Sequence, residues 1–200
     1  MGAAVLARKG YAPEVGTVAG IFVGGQSRRM GGFPKGLLHG VDGRPLVERL
    51  GAVLGGLGAE VWRVGAHPAY GHLAWPLVED RPPEVGPLGG LAGLLWSAQE
   101  AGFARVLVVA CDLPRVGEGL LRRLLEERPE ALVLAPRRER WEPLCARYSV
   151  ATLPAVEARL ARGAHGLQGL LAEVGAEALA LTDEEARGLE DWDRPEDVGR

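Results

Sequence analysis

Short apolar runs alternate with helix-patterned segments along this chain, and that alternation restricts its fold more than any other feature. The runs lie at 18–23, 60–64, 105–110 and 131–135, with a short extended piece at 77–78. Between them, Pro45 opens a helix with apolar positions Leu46, Leu50, Val53, Leu54 and Leu57, which glycines at 55, 56 and 58 end. Further helices are expected from Gly86 through Ala98, at 117–127 on a Leu120/Leu121/Leu124/Leu125 stripe, at 153–162 and at 167–174. Residues 140–148 read as extended, and 178–181 as a last strand. Strands that alternate with helices predict an α/β fold: a Rossmann-like, mostly parallel sheet with helices on both faces. Residues 1–16 lack periodicity and read as an N-terminal extension; 17–200 read as a single domain. In such folds ligands bind beyond the carboxyl ends of the strands.

Two polar features fall at such ends. The first is the loop that follows residues 18–23. It runs Val23-Gly24-Gly25-Gln26-Ser27-Arg28-Arg29-Met30-Gly31-Gly32-Phe33-Pro34-Lys35. Its glycines let backbone N–H groups approach an anion, and Ser27, Arg28 and Arg29 add donors. Lys35 is one of only two lysines among 23 basic residues. A chain that uses arginine almost everywhere keeps an ammonium here, a compact charge that fits between phosphate oxygens where a planar guanidinium does not. The loop is neither a Walker A sequence, since Lys35 lies between Pro34 and Gly36, nor a Gly-x-Gly-x-x-Gly fingerprint. A triphosphate site is the reading it supports.

The second feature is Asp112, in Cys111-Asp112-Leu113-Pro114 after the most apolar run. A carboxylate there faces the ligand crevice and suits Mg²⁺, which takes one or two carboxylates together with substrate phosphate oxygens. Asp80 precedes Gly86-Pro87-Leu88-Gly89-Gly90 and is placed to accept hydrogen bonds from a base or ribose, or to support the metal. The four histidines share no metal-ligand spacing. Trp141 reads either as a pocket wall or as a packed aromatic.

Composition excludes other classes. A net charge of −3 gives no general attraction to nucleic acid or anionic membrane. No stretch reaches the ~20 apolar residues of a membrane span. Cys111 and Cys145 form no Cys-x-x-Cys or zinc spacing and read as buried thiols in a reducing cytoplasm.

The loop, Asp80 with Gly86–Gly90, Cys111–Pro114 and Glu142-Pro143-Leu144-Cys145-Ala146 together resemble, in order and spacing, the molybdenum cofactor guanylyltransferase family of the nucleotidyltransferase superfamily. The likeness runs from about Thr17 to Val198. It implies a fold of the nucleotide-diphospho-sugar transferase type. It also implies transfer of GMP from Mg-GTP to the terminal phosphate of molybdenum-molybdopterin, with release of pyrophosphate. By position, Phe22, Val23, Gly24, Gly25, Ser27 and Arg28, with Asp80, Gly86, Pro87 and Leu88, would contact the nucleotide. Lys35 and Arg29 would hold the triphosphate, and Asp112 the Mg²⁺ cofactor. His165, Asp191 and Asp193 would lie at the acceptor. Molybdenum-insertion proteins and client molybdoenzymes are the implied protein partners.

Three positions depart from the family pattern. Pro34 stands where members often have Asp. Val64-Gly65-Ala66 lacks an Asn near the end of the second strand. Asp191 and Asp193 replace asparagines in a chain that contains none, which adds negative charge where an anionic pterin would dock. Other readings keep the fold: a cytidylyltransferase of the same pathway, or a transferase for another phosphorylated acceptor. A reading from another class is a non-catalytic nucleotide-binding adaptor for cofactor delivery. Retention of Lys35 and Asp112 counts against it.

Overall fold

The computed structural model describes residues 16–24, 33–40 and 42–190. Seven strands form one sheet: β1 (Thr17–Phe22), β2 (Glu60–Val64), β3 (Leu77–Val78), β4 (Arg105–Ala110), β5 (Val133–Pro136), β6 (Cys145–Ser149) and β7 (Glu177–Leu179). Their order is β3-β2-β1-β4-β6-β5-β7. β6 runs antiparallel to β4 and β5, and the remaining pairings are parallel. The expected α/β sheet is present, with one reversed strand inside it. The segment expected to be extended over 140–148 is mostly a connection: Glu142 N–H bonds to Pro136 O and Cys145 N–H to Glu142 O, and the strand itself starts at Cys145.

Among the described residues six α-helices accompany the sheet: α1 (Leu46–Gly56), α2 (Pro87–Glu100), α3 (Glu118–Glu126), α4 (Leu153–Ala161), α5 (Leu167–Glu173) and α6 (Asp183–Gly188). The period of two along the strands sorts the core into two halves. Val18 and Phe22 of β1, with Val106 and Val108 of β4, pack under α2, α4 and α5. Ala19, Ile21 and Val23, with Leu107 and Val109, pack under α1 and α3. Leu50, Leu54, Leu94, Leu121 and Leu124 are wholly buried, each contributing about 1.5–3 kcal/mol by leaving water.

Helix α6 was not expected from apolar periodicity. It is specified by a capping box: Glu185 N–H bonds to Thr182 Oγ1 at 3.2 Å, and Thr182 N–H to Glu185 Oε2 at 2.8 Å. The guanidinium of Arg123 on α3 ties it down, with bonds of 2.9 and 2.7 Å to the two Glu185 oxygens. No described helix is long and apolar enough to cross a membrane.

Candidate active site

The chain leaves β1 toward β2 on one side and later returns to place β4 on the other, so the ends of β1 and β4 form the switch point of the sheet. Cys111 N–H bonds to Phe22 O at 3.2 Å, which carries the pairing one residue past the strand and sets Asp112 beside the start of the glycine loop. Lys35 returns to that point from the far end of the loop, on a single 3-10 turn, Lys35–Leu37. Its Nζ lies 3.0 Å from Asp112 Oδ2, and the two side chains are 14% and 21% exposed. The two residues singled out from sequence as the cationic and metal-binding groups, 77 positions apart, therefore meet.

On the β2 side the structure makes a shallow cradle from backbone. Val23 and Gly24 N–H groups both bond to Val64 O, at 3.0 and 3.2 Å. Gly65 has φ +92, and a Cβ there would stand 2.7 Å from Gly24 Cα, so only two glycines let these strand ends touch. Asp80, just past β3, forms the wall. Its Oδ1 would lie 3.3 Å from a Cβ on Gly90, and the Phe22 ring 2.8 Å from the same point. Partial burial pushes the Asp80 carboxyl up from its ordinary value.

Gly86 and Pro87 open α2 beside Asp80, and Arg81 N–H bonds to Gly89 O. The Leu88 side chain is wholly buried in the core. Phe22 and Val23 are likewise buried, at 9% and 4% exposure. The expected contributions of Gly25, Ser27, Arg28 and Arg29, and of Asp191 and Asp193, lie outside the described residues, as does the extension but for Gly16.

The connection between β5 and β6 borders the other side. Leu144 O accepts from Ala110 N–H at 2.7 Å, and the Tyr148 hydroxyl donates to Pro143 O at 2.7 Å. Trp141 exchanges two backbone bonds with the Gln168 side chain on α5, at 3.2 and 2.8 Å, and the Arg137 guanidinium lies 4.9 Å from its ring. Trp141 is thus clamped between a helix and a cation. His165 is exposed on the turn before α5, three residues from Gln168, at the rim of this connection. It is not brought to the Lys35–Asp112 pair by any hydrogen bond or ion pair among the described residues.

Both cysteines are buried, and burial pushes each thiol up to about 12, so neither is a nucleophile near neutrality. Among the described residues no group of three or more His, Cys, Asp or Glu side chains could hold a metal. A lone carboxylate at a phosphate site still fits Mg²⁺, because the ion takes most of its oxygens from water and from substrate. Sequence reasoning missed Gly65 as part of the cradle. A glycine directly after a strand was the available signal.

Comparison with known proteins gives the family. Residues 19–179 match the model of the MobA-like NTP transferase domain. A molybdenum cofactor guanylyltransferase of Cereibacter sphaeroides is 36% identical over 90% of this chain and 92% of its own length. A protein of Synechococcus elongatus, named "Probable molybdenum cofactor guanylyltransferase", is 34% identical over 82% of this chain and 87% of its own. The crystal structure of molybdopterin-guanine dinucleotide biosynthesis protein A from Archaeoglobus fulgidus superposes with a TM-score of 0.74 at 21% identity, covering 90% of this chain and 94% of that one. With a site at the switch point of the sheet, a family match across most of its length and relatives of this kind, the chain belongs to the MobA-like NTP transferase domain family and is a nucleotidyltransferase.

Proposed function

We propose that this protein transfers GMP from Mg-GTP to the terminal phosphate of molybdenum-molybdopterin and releases pyrophosphate. The observation that carries the reading is the Lys35–Asp112 pair standing next to a glycine-walled cradle with the half-buried Asp80 carboxylate at its side. Family membership and the names of the relatives support it further.

The chemistry asks little of protein nucleophiles. An oxygen of the acceptor phosphate attacks the α-phosphorus of GTP in line, the bond to the β-phosphate oxygen breaks, and pyrophosphate leaves. Positioning and charge neutralisation do most of the catalysis. The Lys35 ammonium would move from Asp112 onto the leaving phosphates. Asp112 would hold Mg²⁺, which, when bound, offsets charge on the triphosphate. The Asp80 carboxylate accepts N–H groups, and guanine presents such donors along one edge while cytosine and adenine present fewer together. A flat base fits over the touching backbones of Gly24 and Gly65.

Calorimetric titration of GTP, CTP and ATP, each with and without Mg²⁺, tests the donor. The expected result is Mg-dependent GTP binding with CTP at least about tenfold weaker, a gap of ~1.4 kcal/mol. Equal binding of all three would remove the guanine assignment. Pyrophosphate release on addition of molybdenum-molybdopterin tests the acceptor, and its absence beside tight GTP binding would favour the adaptor reading.

A further inference from the structure

Tyr70 sits on the turn that follows β2, only 1% exposed, and the mechanism above makes no use of it. Its hydroxyl accepts a hydrogen bond from Gly36 N–H at 3.0 Å, in a buried setting. The same hydroxyl lies close to the Cys111 side chain, since the point where a Cβ on Gly36 would stand is in reach of both. Gly36 is the chain neighbour of Lys35, and Cys111 is the chain neighbour of Asp112. One phenol oxygen thus joins the two backbone segments that present the site's opposite charges.

Little slack remains around that oxygen. A Cβ on Gly36 would stand 2.9 Å from the Tyr70 hydroxyl and 3.2 Å from Cys111 Cβ. Tyr70 itself is held from behind. Its carbonyl accepts from the Arg63 guanidinium at 2.7 Å and from Leu73 N–H at 3.1 Å, and the His67 ring lies 5.4 Å from its own, tilted by 59°. A tyrosine fixed at both ends transmits the position of the β2 end to the Lys35 turn.

We propose that Tyr70 is a positioning residue for nucleotidyl transfer: its hydroxyl fixes the Lys35–Leu37 turn against Cys111, so that the Lys35 ammonium is delivered to Asp112 and to phosphates bound there. The role in turnover rests on the reading of the site given above; the role in placing Lys35 does not.

Two measurements separate these. With only Lys9 and Lys35 in the chain, reductive ¹³C-methylation gives two lysine side-chain signals, and Asp112→Asn identifies that of Lys35 by moving it. Tyr70→Phe keeps the ring and removes the hydroxyl. It should shift the Lys35 signal, leave Lys9 in place, and abolish the response to Asp112→Asn. In turnover, it should lower kcat by about ten- to a hundredfold, the scale of a small misplacement of a catalytic group. In a Lys35→Ala background it should cost nothing more, because Tyr70 acts through Lys35. An unmoved Lys35 signal, or losses that multiply in the double variant, would overturn the proposal. Should no acceptor support turnover, the NMR arm still decides. Gly36→Ala perturbs the same turn from its other side and should displace the Lys35 signal as well. If Tyr70→Phe does not fold, an unmoved Lys35 signal in Gly36→Ala overturns the proposal instead.

Discussion

Lys35 and Asp112 form a partly buried pair, and removing Lys35 takes away the ammonium 3.0 Å from the Asp112 carboxylate. Lys35→Ala and Asp112→Ala should each lower turnover by about a hundredfold or more, the usual scale for removing one preorganised electrostatic group. Circular dichroism should show both folded. Lys35→Arg should fare little better than Lys35→Ala, because a planar fork does not replace an ammonium that closes on a single carboxylate oxygen. Asp80 poses the opposite trade. Its carboxyl is raised by burial, so the folded chain holds the proton more tightly than the unfolded one. Folding stability contributed by that group therefore falls as pH rises from the unfolded pKa through the folded one. Asp80→Asn should raise the neutral-pH Tm of the unliganded protein while weakening GTP binding and its margin over ATP. A melting curve and a titration on the same sample test both halves.

Elements are joined in this molecule largely by arginine. Arg147, wholly buried on β6, donates to the carbonyls of Leu124 at 2.8 Å, Leu125 at 3.3 Å and Glu127 at 2.8 Å, and also to Arg128 O. It satisfies the last carbonyls of α3, which that helix cannot pair itself. Arg147→Leu would strand several buried acceptors, each worth about 1–3 kcal/mol when left unpaired, and should lower Tm sharply without altering the site directly. Helix α6 hangs on Glu185. Burial raises its carboxyl, but the Thr182 N–H and the Arg123 guanidinium outweigh that, and the net direction is below the ordinary value of 4.5. A depressed carboxyl contributes stability that is present above the unfolded pKa and lost as pH falls through the folded one. Amide exchange in α6 should therefore accelerate below about pH 4.5 ahead of the sheet, and Glu185→Gln should remove that step.

At the scale of the whole molecule, the proposed nucleotide site would link ligand and fold through the ends of β1 and β4. A nucleotide bound only by the folded state stabilises it by about 2.7 kcal/mol at a hundred times its Kd. For a chain of this size that corresponds to a rise in Tm of roughly 5–10 °C. Mg-GTP should produce it, Mg-CTP should fall short, and Lys35→Ala should lose most of it. A thermal shift series reads all three. Much of this was legible in the chain. Short apolar runs gave β1, β2 and β4, and the leucine stripe gave α3, because period and burial are local properties of sequence. The rare lysine and the carboxylate after the most apolar strand were the local signals that singled out the proposed site. The capping box of α6 was present in Thr182 and Glu185 but carries no apolar period. The reversal of β6 between β4 and β5 is a choice of neighbour, and neighbours distant in sequence leave no local trace. The same holds for the meeting of Gly24 with Gly65, and for the Tyr70 hydroxyl between Gly36 and Cys111. The sequence by itself determined which segments are strands and helices and which residue types carry the chemistry. Only the tertiary structure decided which of them touch, because contact between distant segments depends on packing the whole sheet.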